Sequence, residues 1–279
     1  MIVTAVLILG GVGLTFGTFI ALANSRLRVW EDPRIDVVAG LLPSANCGAC
    51  GLPGCRAFAE QAVAGTIQPA ECSVMNADGV AAVASYLGVD AGTAVKRVAR
   101  LMCAGGSNVA RRSAEYRGLE TCGAAANVAG GGKGCAWGCL GFADCAVACD
   151  FDAIHMNEFG IPVVDPGKCT ACGDCVDACP KDLFVIQPLD HHLVVQCRNL
   201  VTGDDVLELC SVACTACGKC VQDAAPGLIS VASGVAVVNA AAVAAENRLA
   251  IARCPTAAIV WLDGPQFATP LSLTGSGRT

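Results

Sequence analysis

The chain has 279 residues, of which 20 are cysteines, while only 5% are aromatic and 15% are charged. So few large side chains leave a thin apolar core, and metal sites are the usual substitute because four bonds to one centre supply folding free energy. The net charge of −6 excludes nucleic acid as a partner, since no stripe rich in Lys and Arg is available to replace counterions along phosphates.

The first predicted element is a transmembrane helix at residues 1–24, because positions 2–23 carry no charged side chain. At about 1.5 Å per residue this stretch reaches about 33 Å, enough to cross a hydrocarbon core. Arg26, Arg28 and Arg34 follow it, which predicts a single-pass protein of the inner (cytoplasmic) membrane with the bulk of the chain on the cytoplasmic side. A cleaved signal peptide is the alternative, but it needs a basic region before the apolar run and would export the cysteines to an oxidising space.

A polar linker at 25–40 leads to a compact module at 41–78 that carries the first cysteine group. Many cysteines of the chain lie two or three residues apart, where metal binding is more natural than disulfide bridging. Four thiolates suffice for one [4Fe-4S] cluster, whereas structural zinc sites usually come as two spaced pairs. The predicted ligands of this module are Cys47, Cys50, Cys55 and Cys72.

Residues 79–134 are predicted to be a connector that is helical at first and rich in Gly and Ala towards its end. Helix is predicted over 79–101 with a break near 88–92, because Val95, Val98 and Ala99 share one helical face with Met102.

A two-cluster ferredoxin-like domain is predicted at 135–190. In the run C-x2-C-x2-C-x3-C-P three cysteines hold one cluster, and the fourth reaches across to the other cluster of the fold. That run is formed by Cys169, Cys172, Cys175 and Cys179, and a looser run precedes it at Cys135, Cys139, Cys145 and Cys149. Crossing the fourth ligands predicts one cluster on Cys135, Cys139, Cys145 and Cys179, and a second on Cys149, Cys169, Cys172 and Cys175.

A second, degenerate ferredoxin-like domain is predicted at 191–262, followed by a flexible tail at 263–279. Under the same crossing rule, the cysteines that remain complete one cluster site: Cys214, Cys217, Cys220 and Cys254. The positions that lack cysteine complete the other: Ala224, Ala244, Asn247 and Ala250. Four losses at one site indicate a two-cluster domain that has lost one cluster.

Four cysteines remain after these assignments: Cys103, Cys122, Cys197 and Cys210. They either form a fifth cluster or are small buried thiols that pack between modules. A radical-SAM triad at Cys210, Cys214 and Cys217 is a further alternative, but it leaves Cys220 and Cys254 unexplained. The predicted fold class is therefore α+β, with one N-terminal transmembrane helix, a small helical four-cysteine [4Fe-4S] module and two bacterial-ferredoxin-like domains.

The order of these elements resembles the B subunit of Rnf complexes, the membrane machines that couple electron flow from reduced ferredoxin to NAD with ion pumping. The resemblance rests on the uncharged N-terminal helix, the Cys47 module, the CLGFADC stretch and the Cys169 run, and it covers nearly all of the chain. The lost cluster site at Ala224, Ala244, Asn247 and Ala250 is a departure from this resemblance.

The resemblance implies an iron-sulfur electron-relay subunit of a translocase, with four [4Fe-4S] clusters, or five if the four remaining cysteines hold one. The implied donor is soluble ferredoxin, and the implied partners are other Rnf-type membrane subunits and subunits that bind flavin and NADH. No complete active site is expected in this chain, which has no GxGxxG motif after a strand. The alternatives are a ferredoxin-like wiring subunit of a hydrogenase or formate complex, a radical-SAM enzyme and a zinc-bound scaffold.

Overall fold

The computed structural model describes residues 2–27 and 31–267. Arg28, which is expected to help orient the membrane helix, and residues 268–279 of the expected flexible tail lie outside these ranges. Helix α1 (Ile2–Leu27) is 26 residues long. Within the described part of the chain it is the one helix long and apolar enough to cross a membrane, and none of its Val6–Leu27 stretch is buried against the rest of the protein. An apolar helix that no protein core covers is what a lipid-facing span requires.

A helical module follows, made of α2 (Pro33–Leu41), α3 (Cys55–Val63), a short 3₁₀ turn (Pro69–Glu71) and α4 (Ala77–Leu87). Its core contains Val38, Phe58 and Val83, one from each α-helix, all fully or almost fully buried.

The segment expected to be a polar linker at 25–40 is therefore partly helical. Asp32 caps α2 by accepting a hydrogen bond of 2.9 Å from the Arg34 N–H, and proline stands at the first helical position. The buried Val38 then fixes α2 against the module.

The prediction that helix resumes after residue 92 is wrong. Gly88 ends α4 in the left-handed conformation (φ 66°), and the next element is strand β1 (Arg97–Leu101). Val98 and Leu101 are buried in the core of the first ferredoxin-like domain, so tertiary packing overrides the helical spacing of the apolar residues.

The first ferredoxin-like domain is built from two small antiparallel sheets and two short helices. Strand β1 pairs with β4 (Phe184–Pro188) in a register that places Ala99 opposite Ile186, and β2 (Ile154–Met156) pairs with β3 (Pro162–Val164). The short helices α6 (Asp144–Val147) and α7 (Asp174–Asp177) each carry a cysteine into the core. Between β1 and α6 lie α5 (Cys122–Ala126) and a kinked 3₁₀ turn (Ala129–Gly132).

The second ferredoxin-like domain repeats this plan. Strand β5 (Leu193–Val195) pairs with β8 (Ile259–Trp261), and β6 (Ile229–Ala232) pairs with β7 (Val235–Val238). Its short helices are α8 (Lys219–Asp223) and α9 (Leu249–Ala252), and 3₁₀ turns cover Asp204–Glu208 and Ala240–Ala245. The order strand, cysteine helix, hairpin, helix, strand is therefore present twice in the chain.

Part of the segment expected to be a flexible tail is ordered. The Gln266 side chain is almost fully buried, and its amide accepts from the Leu101 N–H at 2.9 Å and donates to the Leu101 carbonyl at 2.7 Å. These bonds satisfy the Leu101 N–H and carbonyl, which lie on the edge of β1 that does not pair with β4. Residues 264–267 therefore belong to the first ferredoxin-like domain.

Candidate iron-sulfur sites

All 20 cysteines lie in the described part of the chain as free thiols, and no disulfide joins any pair of them. The first group lines one cavity with about 340 Å³ of empty space in the helical module, and its members are Cys47, Cys50, Cys55 and Cys72. The Asn46 side chain holds the loop in place, because its amide oxygen accepts a hydrogen bond of 2.9 Å from the Cys55 N–H. Four thiols around one largely apolar cavity are a suitable donor set for a [4Fe-4S] cluster.

A second cavity, with about 310 Å³ of empty space, lies in the first ferredoxin-like domain and is lined by Cys149, Cys169, Cys172 and Cys175. Cys149 comes from the upstream run, so the chain crosses here as the ferredoxin rule predicts. Burial, with added repulsion from the neighbouring thiols, raises the pKa of Cys175 to about 12. A thiol of this kind stays protonated at neutral pH until a metal displaces the proton.

A third group surrounds Cys145 of α6. Burial raises the pKa of the Cys145 thiol to about 12, and its neighbours Cys122 and Cys179 add to the rise. Cys139 lies close to Cys145, and burial likewise raises its pKa to about 12. The structure thus brings Cys139, Cys145 and Cys179 together, as the sequence predicts.

The fourth member of the third group differs from the prediction, because Cys122 occupies the place expected for Cys135. Cys135 instead lines another cavity, with about 340 Å³ of empty space, together with Cys103, Cys197 and Cys210. The physical reason is backbone pairing, because Ala110 pairs with Cys210 and Arg112 pairs with Lys133, which places the loop before Cys135 beside the segment that carries Cys210.

The last group lies in the second ferredoxin-like domain. Burial raises the pKa of Cys220 to about 11, and the surrounding thiols that contribute are Cys214, Cys254 and Cys217. Cys254 comes from the far end of the domain, which brings together the set predicted by the crossing rule. Cys217 is the one exposed thiol among these cysteines.

The positions of the lost cluster site are filled by small side chains. Ala250 is fully buried, and Ala224 packs against the same core as Leu228 and Ile229. At these two positions alanine methyl groups pack into the core where the crossing rule would place cluster ligands, whereas Ala244 is exposed and Asn247 is half-buried.

In three of these groups four cysteines line one cavity. A cubane binds its four thiolates on four different iron atoms, so four thiols around one cavity are a suitable donor set for it.

Three polar residues around these sites were not singled out from the sequence. Lys133 donates to the carbonyls of Gly105 and Cys139, the latter at 2.6 Å, which places its ammonium between two cysteine groups. Asp144 and Asn199 anchor cysteine loops through hydrogen bonds. No motif marks Lys133 or Asn199, whereas Asp144 lies within the CLGFADC stretch. Cys103 and Cys197 each lie two positions after the first strand of a ferredoxin-like domain, a repeat that the sequence does contain.

Two family models match the cysteine regions of the chain. A model for an Fe-S cluster domain matches residues 42–74, and a model for a 4Fe-4S dicluster domain matches residues 134–183. Iron-sulfur binding by these two regions is therefore a property that the chain shares with those families.

The proteins similar to this chain include B subunits from several organisms. The chain is 46% identical over 74% of its length to the B subunit of the Na⁺-translocating ferredoxin:NAD⁺ oxidoreductase complex of Acetobacterium woodii, and spans 62% of that protein. It is 36% identical to the B subunit of the proton-translocating ferredoxin:NAD⁺ oxidoreductase complex of Clostridium ljungdahlii, over 89% of this chain and 88% of that protein.

The B subunit of the ion-translocating oxidoreductase complex of Methanosarcina acetivorans is 33% identical, over 93% of this chain and 98% of that protein. This alignment runs across the helical module and both ferredoxin-like domains, so the similarity extends beyond the common cysteine motifs. The chain belongs to the family of B subunits of ion-translocating (Rnf-type) oxidoreductase complexes.

Proposed function

We propose that this chain is the iron-sulfur electron-relay subunit of a membrane Rnf-type complex. It takes electrons from reduced soluble ferredoxin and passes them to the membrane subunits, alongside companion subunits that bind flavin and NADH. In the assembled complex this flow is coupled to translocation of Na⁺ or H⁺ and to reduction of NAD⁺. The relatives from Acetobacterium woodii and Clostridium ljungdahlii carry these activities in their names.

The observation that carries the proposal is a direct contact between the helical module and the first ferredoxin-like domain. The Ser73 hydroxyl donates a hydrogen bond of 2.8 Å to the carbonyl of Thr170. Ser73 follows Cys72 and Thr170 follows Cys169, so ligand loops of two cysteine groups touch. When bound, [4Fe-4S] clusters supply one-electron carriers with potentials between about −700 and +450 mV. Cysteine groups in contact support a relay, since electrons need short gaps between carriers.

The position of α1 supports the membrane end of this proposal. The helical module begins at Pro33, six residues after α1 ends at Leu27, so it stays near the bilayer. Arg26 and Arg34 flank that connection and favour the cytoplasmic side for the cysteine-rich part of the chain. At the other end, the exposed Cys217 lies on the domain farthest along the chain from the membrane helix, where a soluble donor has access.

The test is electron transfer from reduced ferredoxin to NAD⁺ in anaerobic membrane vesicles that contain the complete complex. Cys72→Ala removes one donor of the helical module and is expected to abolish NAD⁺ reduction while the subunit stays in the membrane. The matched control is Ser85→Ala, which alters an exposed side chain on α4 of the same module and leaves the rate unchanged. Full activity in Cys72→Ala vesicles whose subunit has lost iron would overturn the proposal.

A further inference from the structure

We propose that this chain holds a fifth [4Fe-4S] cluster between its two ferredoxin-like domains, on Cys103, Cys135, Cys197 and Cys210. Cys122 then replaces Cys135 in the neighbouring cluster of the first domain, whose ligands are Cys122, Cys139, Cys145 and Cys179. The inference rests on the proposed relay function and extends it by naming a bridging site and a new ligand set.

The internal repeat places the first two ligands. Cys103 follows the end of β1 by two residues, and Cys197 follows the end of β5 by two residues. The two segments are joined where the Ala104 N–H donates to the Gln196 carbonyl at 3.0 Å. Equivalent positions of the two domains therefore meet at their interface, and each contributes one thiol.

Backbone pairing brings in the third ligand. Ala110 and Cys210 form an antiparallel bridge, and on either side of it Arg111 N–H bonds to the Leu209 carbonyl at 2.8 Å and Ser211 N–H to the Val109 carbonyl at 3.0 Å. Cys210 is thereby fixed against the segment that begins at Cys103.

A second backbone pairing of the same segment fixes the fourth ligand. Gly134 N–H donates to the Arg111 carbonyl at 2.9 Å, which sets the position of Cys135 in the next residue. Gly132 makes this approach possible, because its φ of 71° is left-handed and a Cβ there would clash with the Ala114 carbonyl oxygen. The loop that delivers Cys135 thus depends on a glycine at this point.

The surroundings of the four sulfurs suit an anionic cluster. Cys103, Cys135 and Cys210 are all less than a tenth exposed, so water has little access to the cavity. The Cys103 sulfur accepts from the Gly105 and Cys139 N–H groups, both at 3.4 Å. Lys133 also lines the cavity and supplies positive charge. Buried thiolates are stabilised by hydrogen bonds and a nearby cation of this kind.

Cys122 is held beside Cys145 by one carboxylate. Asp144 accepts from the backbone N–H groups of Cys122 at 2.8 Å and Gly123 at 3.0 Å, at the start of α5. Since Cys145 directly follows Asp144 in the chain, this clamp brings the two cysteines to the same site. Cys179 is also a neighbour of Cys122, which completes the exchange with Cys135.

The new site connects the two domains. On one side its ligand Cys103 accepts a hydrogen bond from the backbone of Cys139, a ligand of the adjacent group. On the other side the buried Asn199 amide donates to the Cys197 sulfur and to the Cys214 carbonyl, both at 3.1 Å. The Cys214 group therefore borders this site through Asn199. The fifth cluster is therefore the bridge between the domains.

The test counts iron and acid-labile sulfide on the full chain purified without oxygen, and assigns EPR signals by substitution. We expect about 20 iron atoms per chain in the unsubstituted protein and about 16 in each single-ligand variant. Cys135→Ala and Cys210→Ala should lose one and the same signal, while Cys122→Ala and Cys179→Ala should lose a different one. Cys217→Ala is the matched control and should lose a third signal with the same iron loss.

Persistence of the remaining signals in each variant shows that the chain still folds. If Cys135→Ala and Cys179→Ala lose the same signal, or if the unsubstituted chain holds about 16 iron atoms, the proposal is overturned. These readouts need neither ferredoxin nor NAD⁺. A chain with five clusters that fails to transfer electrons in the complex would contradict the relay function and leave the bridging site standing.

Discussion

The backbone N–H of Cys139 points at the sulfur of Cys103, 3.4 Å away, although the two residues belong to different cysteine groups. One group therefore lies against the next with no side chain between them at this point. The contact links the core of the first ferredoxin-like domain to the interface between the domains. It makes the environment of each site dependent on its neighbour.

Lys133 is expected to raise the reduction potential of the bridging site, because positive charge favours the state with one more electron. Lys133→Met should lower that potential by on the order of 50 mV, as expected for loss of one charge a few ångströms away at an intermediate dielectric constant. The measurement is a redox titration followed by EPR. Lys96→Met removes an exposed lysine and should leave the reduction potential of the bridging site unchanged. An equal shift in both variants would assign the effect to net charge alone.

The crossed arrangement of the second ferredoxin-like domain predicts that distant cysteines serve one cluster. Cys254→Ala should remove the same EPR signal as Cys217→Ala, because both thiols surround Cys220. Each variant should contain about four fewer iron atoms than the unsubstituted chain. Loss of two different signals would contradict the crossed assignment.

The buried thiols predict a pH dependence of the iron-free chain. Burial raises the pKa of Cys139, Cys145 and Cys175 from 9.0 to about 12. Because the raised pKa belongs to the folded state, the stability that these neutral thiols confer is fully present below pH 9 and is lost as the pH rises towards 12. Thermal unfolding followed by circular dichroism should show this loss in the iron-free chain. The holoprotein, whose sulfurs are already metal-bound thiolates, should not share it, and identical pH profiles would refute the prediction.

Gln266 predicts a stability effect at the edge of β1, where it bonds to the backbone of Leu101. Gln266→Ala leaves the N–H and carbonyl of Leu101 buried without their partners, which should lower the free energy of unfolding by about 2 to 3 kcal/mol. Denaturant unfolding of the anaerobic protein, followed by the cluster absorbance, measures this change. Gln222→Ala removes an exposed glutamine of α8 and should change stability by less than about 0.5 kcal/mol. Equal stability of the two variants would show that residues 264–267 contribute nothing to the domain.

Local spacing in the sequence was sufficient to predict which cysteines come together where a group lies within one run or follows the ferredoxin crossing rule. The Cys47 module and the Cys169 run are of this type, and the structure gathers each predicted set around one cavity. The ligation itself stays a prediction until iron is counted.

The exchange of Cys122 and Cys135 could not be predicted from spacing. It depends on the Asp144 carboxylate and on backbone pairing between segments about 100 residues apart, such as Ala110 with Cys210. The helix predicted in place of strand β1 is wrong for a related reason, since the partner strand β4 lies more than 80 residues later in the chain. Long-range pairing of this kind leaves no periodic signal in the strand itself.

In the second ferredoxin-like domain, Ala250 is fully buried among aliphatic side chains at a position where a cluster ligand would otherwise stand. Hydrocarbon packing is an electrical insulator over distances at which a cubane would conduct. The side of the domain that surrounds Ala250 therefore offers no cluster site of its own. A soluble protein that reduces this domain is expected to dock at the surface where Cys217 is exposed.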